Sequence, residues 1–116
     1  MKSRGVILGL AALVAGLVSF EASAVAASAE KGKAAFLQHG CWQCHGYQGQ
    51  GGIAGLKLAP NPIPFETLST FVRTTNRTMP PFSKDILSDE DLADIYAFLQ
   101  AIPKGPDPKD IPLLNP

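Results

Sequence analysis

The chain has 116 residues, a mass of 12.3 kDa and a formal net charge of zero at pH 7. Hydrophobic residues make up 46% of it and charged residues 17%, which excludes a disordered chain. The lack of a basic excess argues against nucleic-acid binding. Two cysteines are too few for the disulfide framework of a small secreted scaffold. We therefore expect one small folded domain.

The first residues have the parts of a secretory signal peptide. Lys2 and Arg4 form a positive start, and an apolar run follows over residues 5–18. Two later segments, 22–24 and 27–29, fit the A-x-A pattern of a cleavage site. The alternative is an uncleaved membrane anchor, but this run is shorter than the roughly 20 apolar residues that span a bilayer.

We predict a signal peptide over residues 1–24, with cleavage somewhere in 24–29, and a single domain over 25–116. The composition does not divide that domain further. Its end, residues 103–116, is a proline-rich tail that we predict to be extended. The tail has three apolar residues that are candidates for packing on the rest of the domain: Ile111, Leu113 and Leu114.

Three segments of the predicted domain have helical patterns. The first runs from Ser28, a suitable N-cap, to about His39. The second covers residues 65–74 and has one apolar side. The third begins after a second N-cap, Ser88, and is stopped by Pro103.

The third helix has the strongest signal. Leu87 and Leu92 occupy the two positions of a hydrophobic staple around the N-cap, and Ile95 and Leu99 continue the apolar stripe at helical spacing. No stretch alternates long enough to predict a strand, and residues 46–64 read as a long loop rich in Gly and Pro. The sequence therefore predicts an all-α domain, and a loop this long indicates that the chain wraps something.

Both cysteines lie in the run Cys41-Trp42-Gln43-Cys44-His45, which has the C-x-x-C-H pattern of c-type haem attachment. Each thiol can add to one vinyl group of the haem, and the two intervening residues let both sulfurs reach neighbouring ring edges from a single turn. His45 then lies under the iron as an axial ligand. This predicts one haem c, with its iron, bound covalently through Cys41 and Cys44.

Three other interpretations use the same residues. A thioredoxin-type redox pair belongs at a strand-to-helix junction, which this sequence does not predict. A structural zinc site would need all four ligands from one short stretch. Those ligands would be His39, Cys41, Cys44 and His45. A plain disulfide is the third alternative, and it is compatible with an exported protein.

The second iron ligand is predicted after the second helix. Met79 is the single Met of the predicted mature chain, and Pro80 and Pro81 bias its backbone toward an extended, stiff conformation. We predict that Met79 is the axial ligand opposite His45, and the alternative is that Met79 only fills a gap in the core. A histidine close to His45 and two protonated lysines are weaker rivals. They are His39, Lys57 and Lys84.

With these motifs the chain resembles a class I cytochrome c, in its small bacterial monohaem form, over residues 30–102. Gly32 and Phe36 look like the positions where the first helix of that family crosses the last, and Ile95 and Phe98 look like their partners. The resemblance implies the cytochrome c fold, with three to four helices and long loops wrapped around one covalent haem.

One stretch departs from the family pattern. Many members have a proline in a Gly-Pro-x-Leu stretch, and its carbonyl accepts the proton of the axial histidine. Here the stretch reads Gly55-Leu56-Lys57-Leu58, so the resemblance gives the acceptor role to the carbonyl of Leu56.

The resemblance also suggests residues around the haem. Candidate contacts of the haem propionates are Arg73, Asn76 and Arg77, and the alternative is cationic residues that complement a helix dipole. Candidate pocket residues are Phe36, Trp42, Leu58, Phe71, Phe82 and Phe98. Candidates for framing a docking face are Tyr47, Lys57 and Lys84.

The function that the resemblance implies is periplasmic transfer of single electrons, without catalysis. The protein would be a carrier or an electron-accepting subunit of a dehydrogenase, similar to the cytochrome subunits of such enzymes. Its partners would be redox proteins, namely a dehydrogenase donor and an oxidase or another cytochrome as acceptor. We expect no nucleic acid and no stable membrane insertion after signal cleavage. The alternative is a haem-based gas sensor or peroxidase-like protein in which Met79 is displaceable.

Overall fold

The structure is a computed structural model that describes residues 26–115. The predicted signal peptide over residues 1–24 lies outside the described residues, and so does Pro116. Within the described residues, no helix combines the length and the hydrophobicity needed to cross a membrane.

Four helices make up the body of the described chain. They are α1 (Ala29–Gln38), α2 (Cys41–His45), α3 (Phe65–Thr74) and α4 (Asp89–Ala101). No strand occurs between residues 26 and 115, which agrees with the all-α prediction. The three predicted helices correspond to α1, α3 and α4, while α2 is the attachment turn, which forms a short helix of its own.

Helices α1 and α4 each begin at a capping serine. Ser28 Oγ accepts a hydrogen bond from the backbone N–H of Lys31 at 3.3 Å, and Ser88 Oγ accepts one from the backbone N–H of Asp91 at 3.0 Å. Each cap satisfies one of the N–H groups that the first turn of a helix leaves without a partner. Both predicted N-caps are therefore confirmed.

The main contact between described helices is the crossing of α1 and α4. Gly32 lies so close to the backbone of Asp94 that a Cβ on it would clash with the carbonyl of that residue. Phe36 packs on Phe98 with the ring centroids 5.5 Å apart. The buried carboxylate of Asp94 accepts a hydrogen bond from the backbone N–H of Ser28 at 2.6 Å, which ties the start of α1 to α4. The predicted crossing residues do meet.

A second connection joins α3 to the start of α4. Arg73 on α3 donates from Nη2 to the carboxylate of Asp89 at 2.9 Å, and Lys84 donates from Nζ to the other carboxylate oxygen at 2.6 Å. These hydrogen bonds, first that of Lys84 and then that of Arg73, lower the pKa of Asp89 below its usual value. The negative charge also suits the positive end of the α4 dipole.

The tail after α4 contains two 3₁₀ turns, Pro108–Asp110 and Pro112–Leu114. The side chain of Asn115 donates to two backbone carbonyls within the tail, so the turns are closed on themselves. Leu113 and Leu114 are exposed. The expected extended tail, with these two leucines packed on the body, is therefore wrong, because local turns satisfy the backbone instead.

The close crossing of the helices predicts the effect of Gly32→Ala. The added Cβ must push α1 away from the backbone of α4, so we expect the free energy of unfolding to fall by about 1–3 kcal/mol. In a helix without such a crossing, Gly→Ala would instead raise the free energy of unfolding by up to about 1 kcal/mol. The sign of the change therefore shows whether the close crossing is present. Denaturant unfolding followed by circular dichroism measures it. Gly105→Ala, where a Cβ meets nothing within 4 Å, is the control and should leave stability nearly unchanged.

The carboxylate of Asp89 predicts a pH dependence of stability. Its pKa in the folded state is lowered, so the ionised group stabilises the fold fully above the unfolded value of about 3.9. This contribution is lost as the pH falls through the folded-state pKa. We expect Asp89→Asn to flatten the pH dependence of the unfolding midpoint below about pH 4. Asp85→Asn is the control, because Asp85 is exposed and has no ion pair among residues 26–115. An unchanged profile for Asp89→Asn would contradict the assignment.

Candidate haem site

The C-x-x-C-H run forms α2, one turn of helix that is separated from α1 by two residues. Cys41 and Cys44 are free thiols, the first half-buried and the second exposed. Burial raises the pKa of the Cys41 thiol above its usual value. A thioredoxin-type redox pair needs a lowered thiol pKa, so the direction of this shift disfavours that alternative.

The ring of His45 is held by the loop that follows α2. Its Nδ1 lies 2.7 Å from the carbonyl oxygen of Leu56. A carbonyl can only accept a hydrogen bond, so Nδ1 carries the proton and Nε2 keeps its lone pair for a metal ion. The acceptor role expected for Leu56 is confirmed.

Close backbone packing keeps the Leu56 carbonyl in place. A Cβ on Gly55 would lie 2.6 Å from the carbonyl oxygen of Cys44, so the loop can pass α2 at this distance only with glycine there. The backbone N–H of Gly51 donates to the carbonyl of His45 at 2.8 Å, which fastens the loop to α2 a second time.

Beside α2 lies a cavity of about 350 Å³. Cys41, Cys44 and His45 line one part of it, and Met79 lines another. The structure therefore brings together the two predicted attachment residues and the two predicted axial ligands, which come from chain segments on either side of α3.

The walls of the cavity are almost entirely apolar. α1 and α4 contribute Phe36, Ile95 and Leu99, and α3 contributes Leu68 and Val72. An apolar enclosure with thiols and an imidazole along it fits a porphyrin, whose ring is apolar and whose iron takes a nitrogen ligand. The cavity and its donor groups therefore fit a covalently attached haem.

Four of the six predicted pocket residues line this cavity. They are Phe36, Leu58, Phe71 and Phe82. The other two do not line it and pack on other aromatic rings. Trp42 stacks on Tyr47 with the ring centroids 4.6 Å apart, and Phe98 packs against the other aromatic ring of the helix crossing.

Met79 is half-buried and packs against the hydrophobic core. It lies in the irregular segment between α3 and α4, next to Pro80, which lines the cavity with it. The backbone N–H of Phe82 donates to the carbonyl of Val72 at 2.9 Å, so the segment is attached to α3 just after Met79.

The rival ligands have different positions. His39 lines the cavity and meets the ring of Phe82 edge-on, with the centroids 6.5 Å apart. Lys57 and Lys84 do not line it, and Lys84 is paired with Asp89. In the part of the chain that the structure describes, no three His, Cys, Asp or Glu side chains come together as the zinc alternative needs.

None of the three predicted propionate contacts, Arg73, Asn76 and Arg77, lines the cavity. Arg73 instead donates to backbone carbonyls between residues 82 and 87 and to the carboxylate of Asp89. Asn76 and Arg77 are exposed. A side chain that binds backbone carbonyls leaves no mark in the sequence, which is why this role of Arg73 was not predicted.

Several lining residues were predicted as core but not as part of a site. Leu68 and Val72 on α3 face the cavity beside the predicted pocket residue Phe71, and so does the stripe of α4 through Leu92 and Leu99. Helical periodicity indicates that such side chains are buried. It does not distinguish burial against another helix from burial against a cofactor.

A protein-family model described as "Cytochrome C oxidase, cbb3-type, subunit III" matches residues 27–99, which is more than half of the chain. The comparisons with curated proteins and with solved structures give no significant match. The matched segment contains α1 to α3, the attachment motif and most of α4. The chain therefore belongs to this family of c-type cytochrome domains, as a monohaem class I cytochrome c that binds haem c covalently and transfers electrons through it.

Proposed function

We propose that the protein is a periplasmic cytochrome that transfers single electrons through a haem iron bound by His45 and Met79. The observation that carries this proposal is that both side chains line one apolar cavity, together with the two attachment cysteines. They approach it from segments separated by α3.

The residues of this chain would have distinct tasks. When bound, haem c supplies the one-electron chemistry of its iron. Cys41 and Cys44 would fix it by thioether bonds, and the Leu56 carbonyl holds His45 with Nε2 free to bind. The Met79 thioether would favour the reduced iron and raise the reduction potential relative to a second histidine. With His45 and Met79 both bound to it, the iron would have no place for a substrate to coordinate, which favours outer-sphere electron transfer.

The cellular setting of the proposal comes from sequence and family. The signal-peptide pattern supports export, and we infer a periplasmic location from it. The protein would act as a free carrier or as an electron-accepting subunit of a dehydrogenase, with an oxidase or another cytochrome as acceptor. The family is named for a subunit of an oxidase, which agrees with redox-protein partners.

The axial ligation is tested by Met79→Ala in protein matured with haem. We expect wild-type ferric protein to have the weak near-red absorption band of iron bound by methionine sulfur, and Met79→Ala to lack it. Ferrous Met79→Ala should bind carbon monoxide rapidly, and the wild type should bind it slowly. His39→Ala is the matched control, because His39 lines the same cavity, and it should keep the band. Rapid carbon monoxide binding by the wild type would favour the sensor or peroxidase alternative.

The location and the assembly state are tested by cell fractionation. We expect haem-stained protein in the periplasmic fraction, and its recovery in the cytoplasm would contradict the proposal. Gel filtration of that fraction then distinguishes a free carrier from a subunit of a dehydrogenase. A carrier elutes alone as a small protein, while a subunit elutes with a larger dehydrogenase.

A further inference from the structure

Arg73 makes an unusual set of contacts that haem ligation by itself does not use. Its side chain is 14% exposed. The two N–H groups of Nη1 are shared among three backbone carbonyls, those of Phe82 at 3.0 Å, Ser83 at 3.2 Å and Leu87 at 2.7 Å. Nη2 donates to Asp89 at 2.9 Å. One guanidinium on α3 thus binds several points of the segment between residues 82 and 89, which leads into α4.

That segment is the one that carries Met79. Its other backbone link to α3 among the described residues is the hydrogen bond from Phe82 N–H to the Val72 carbonyl. A local turn, in which the N–H of Leu87 donates to the Ser83 carbonyl, brings the three acceptors together. Beside the packing of its apolar side chains, the segment is therefore held on α3 mainly by the hydrogen bonds of the guanidinium.

We propose that Arg73 is a positioning residue that holds the segment after Met79 and thereby keeps the thioether at the iron. This inference rests on the proposed His45 and Met79 ligation. Arginine suits the task because its planar group is always charged and presents donors in a fixed fork. Nε is buried without a partner, so the Nη contacts set the orientation of the group.

Loss of these contacts should loosen Met79 rather than only weaken the fold. The carbonyl of Leu87 is partly buried, and a buried acceptor without its donor is costly, so the segment would shift toward water. The thioether bond is weak enough to be displaced, so the change should appear as easier replacement of Met79 by an external ligand.

The experiment is a titration of the ferric, haem-loaded protein with imidazole, followed by the change of the main haem absorption band in every variant and by loss of the near-red band in those that have it. Arg73→Lys keeps the charge but removes the fork, and we expect the imidazole affinity to rise at least about tenfold, or about 1.4 kcal/mol. Arg77→Lys is the matched control, because Arg77 is exposed and its side chain makes no hydrogen bond in the described part of the chain. It should bind imidazole as the wild type does.

A second control separates positioning from general stability. Gly32→Ala is expected to destabilise the fold at the crossing of α1 and α4, away from the Met79 segment. Because this change acts on the helix crossing and not on the Met79 segment, its imidazole affinity should rise clearly less than that of Arg73→Lys. An equal rise in Gly32→Ala and Arg73→Lys would overturn the proposal, and so would an unchanged affinity in Arg73→Lys.

Two further variants complete the test. Met79→Ala sets the upper limit of imidazole affinity. If it binds imidazole as the wild type does, Met79 is not a ligand and both proposals fail, an outcome distinct from failure of Arg73→Lys alone. If Arg73→Lys is not recovered with haem, Asp89→Asn decides, because among the contacts of Arg73 it weakens only that of Nη2. It should raise the affinity by a smaller factor, and no rise would overturn the proposal.

Discussion

The close crossing of α1 and α4 is the contact on which the haem site depends. Gly32 allows the two backbones to approach, and the Asp94 carboxylate holds the N–H of Ser28 at one end of α1. Because only two residues separate α2 from α1, this crossing also determines where the attachment turn lies relative to α4. The side chains of Ile95 and Leu99 then form a wall next to the same turn.

The loop after α2 fixes the orientation of the His45 ring without a proline at the acceptor position. Many members of the family have a proline at the position whose carbonyl accepts the histidine proton, and its ring stiffens the backbone there. In this chain that position is Leu56. The structure supplies rigidity through packing, since Gly55 lies against the Cys44 carbonyl and Gly51 donates to the His45 carbonyl. Backbone hydrogen bonds and a missing side chain thus replace a ring constraint in holding the tautomer of His45.

The sequence predicted the features that depend on local chemistry. Both N-caps and the C-x-x-C-H turn could be identified, since each follows from residue type and spacing, and the family resemblance implied the Leu56 acceptor. The contacts of Arg73 could not, because its acceptors are backbone carbonyls that any residue provides. The position of Trp42 also could not, since a pattern of apolar residues does not say which aromatic partner it will stack on.

The residues that enclose the cavity are also the core of the domain. Leu87, Leu92 and Leu99 are among the most buried side chains, and each lines the cavity. A domain of this size buries a modest apolar area, so it gains much from a large apolar group in contact with these side chains. The same leucines therefore form the core of the fold and the wall of the haem cavity. Covalent attachment at α2 keeps that apolar group with the chain, so the core cannot lose it by dissociation.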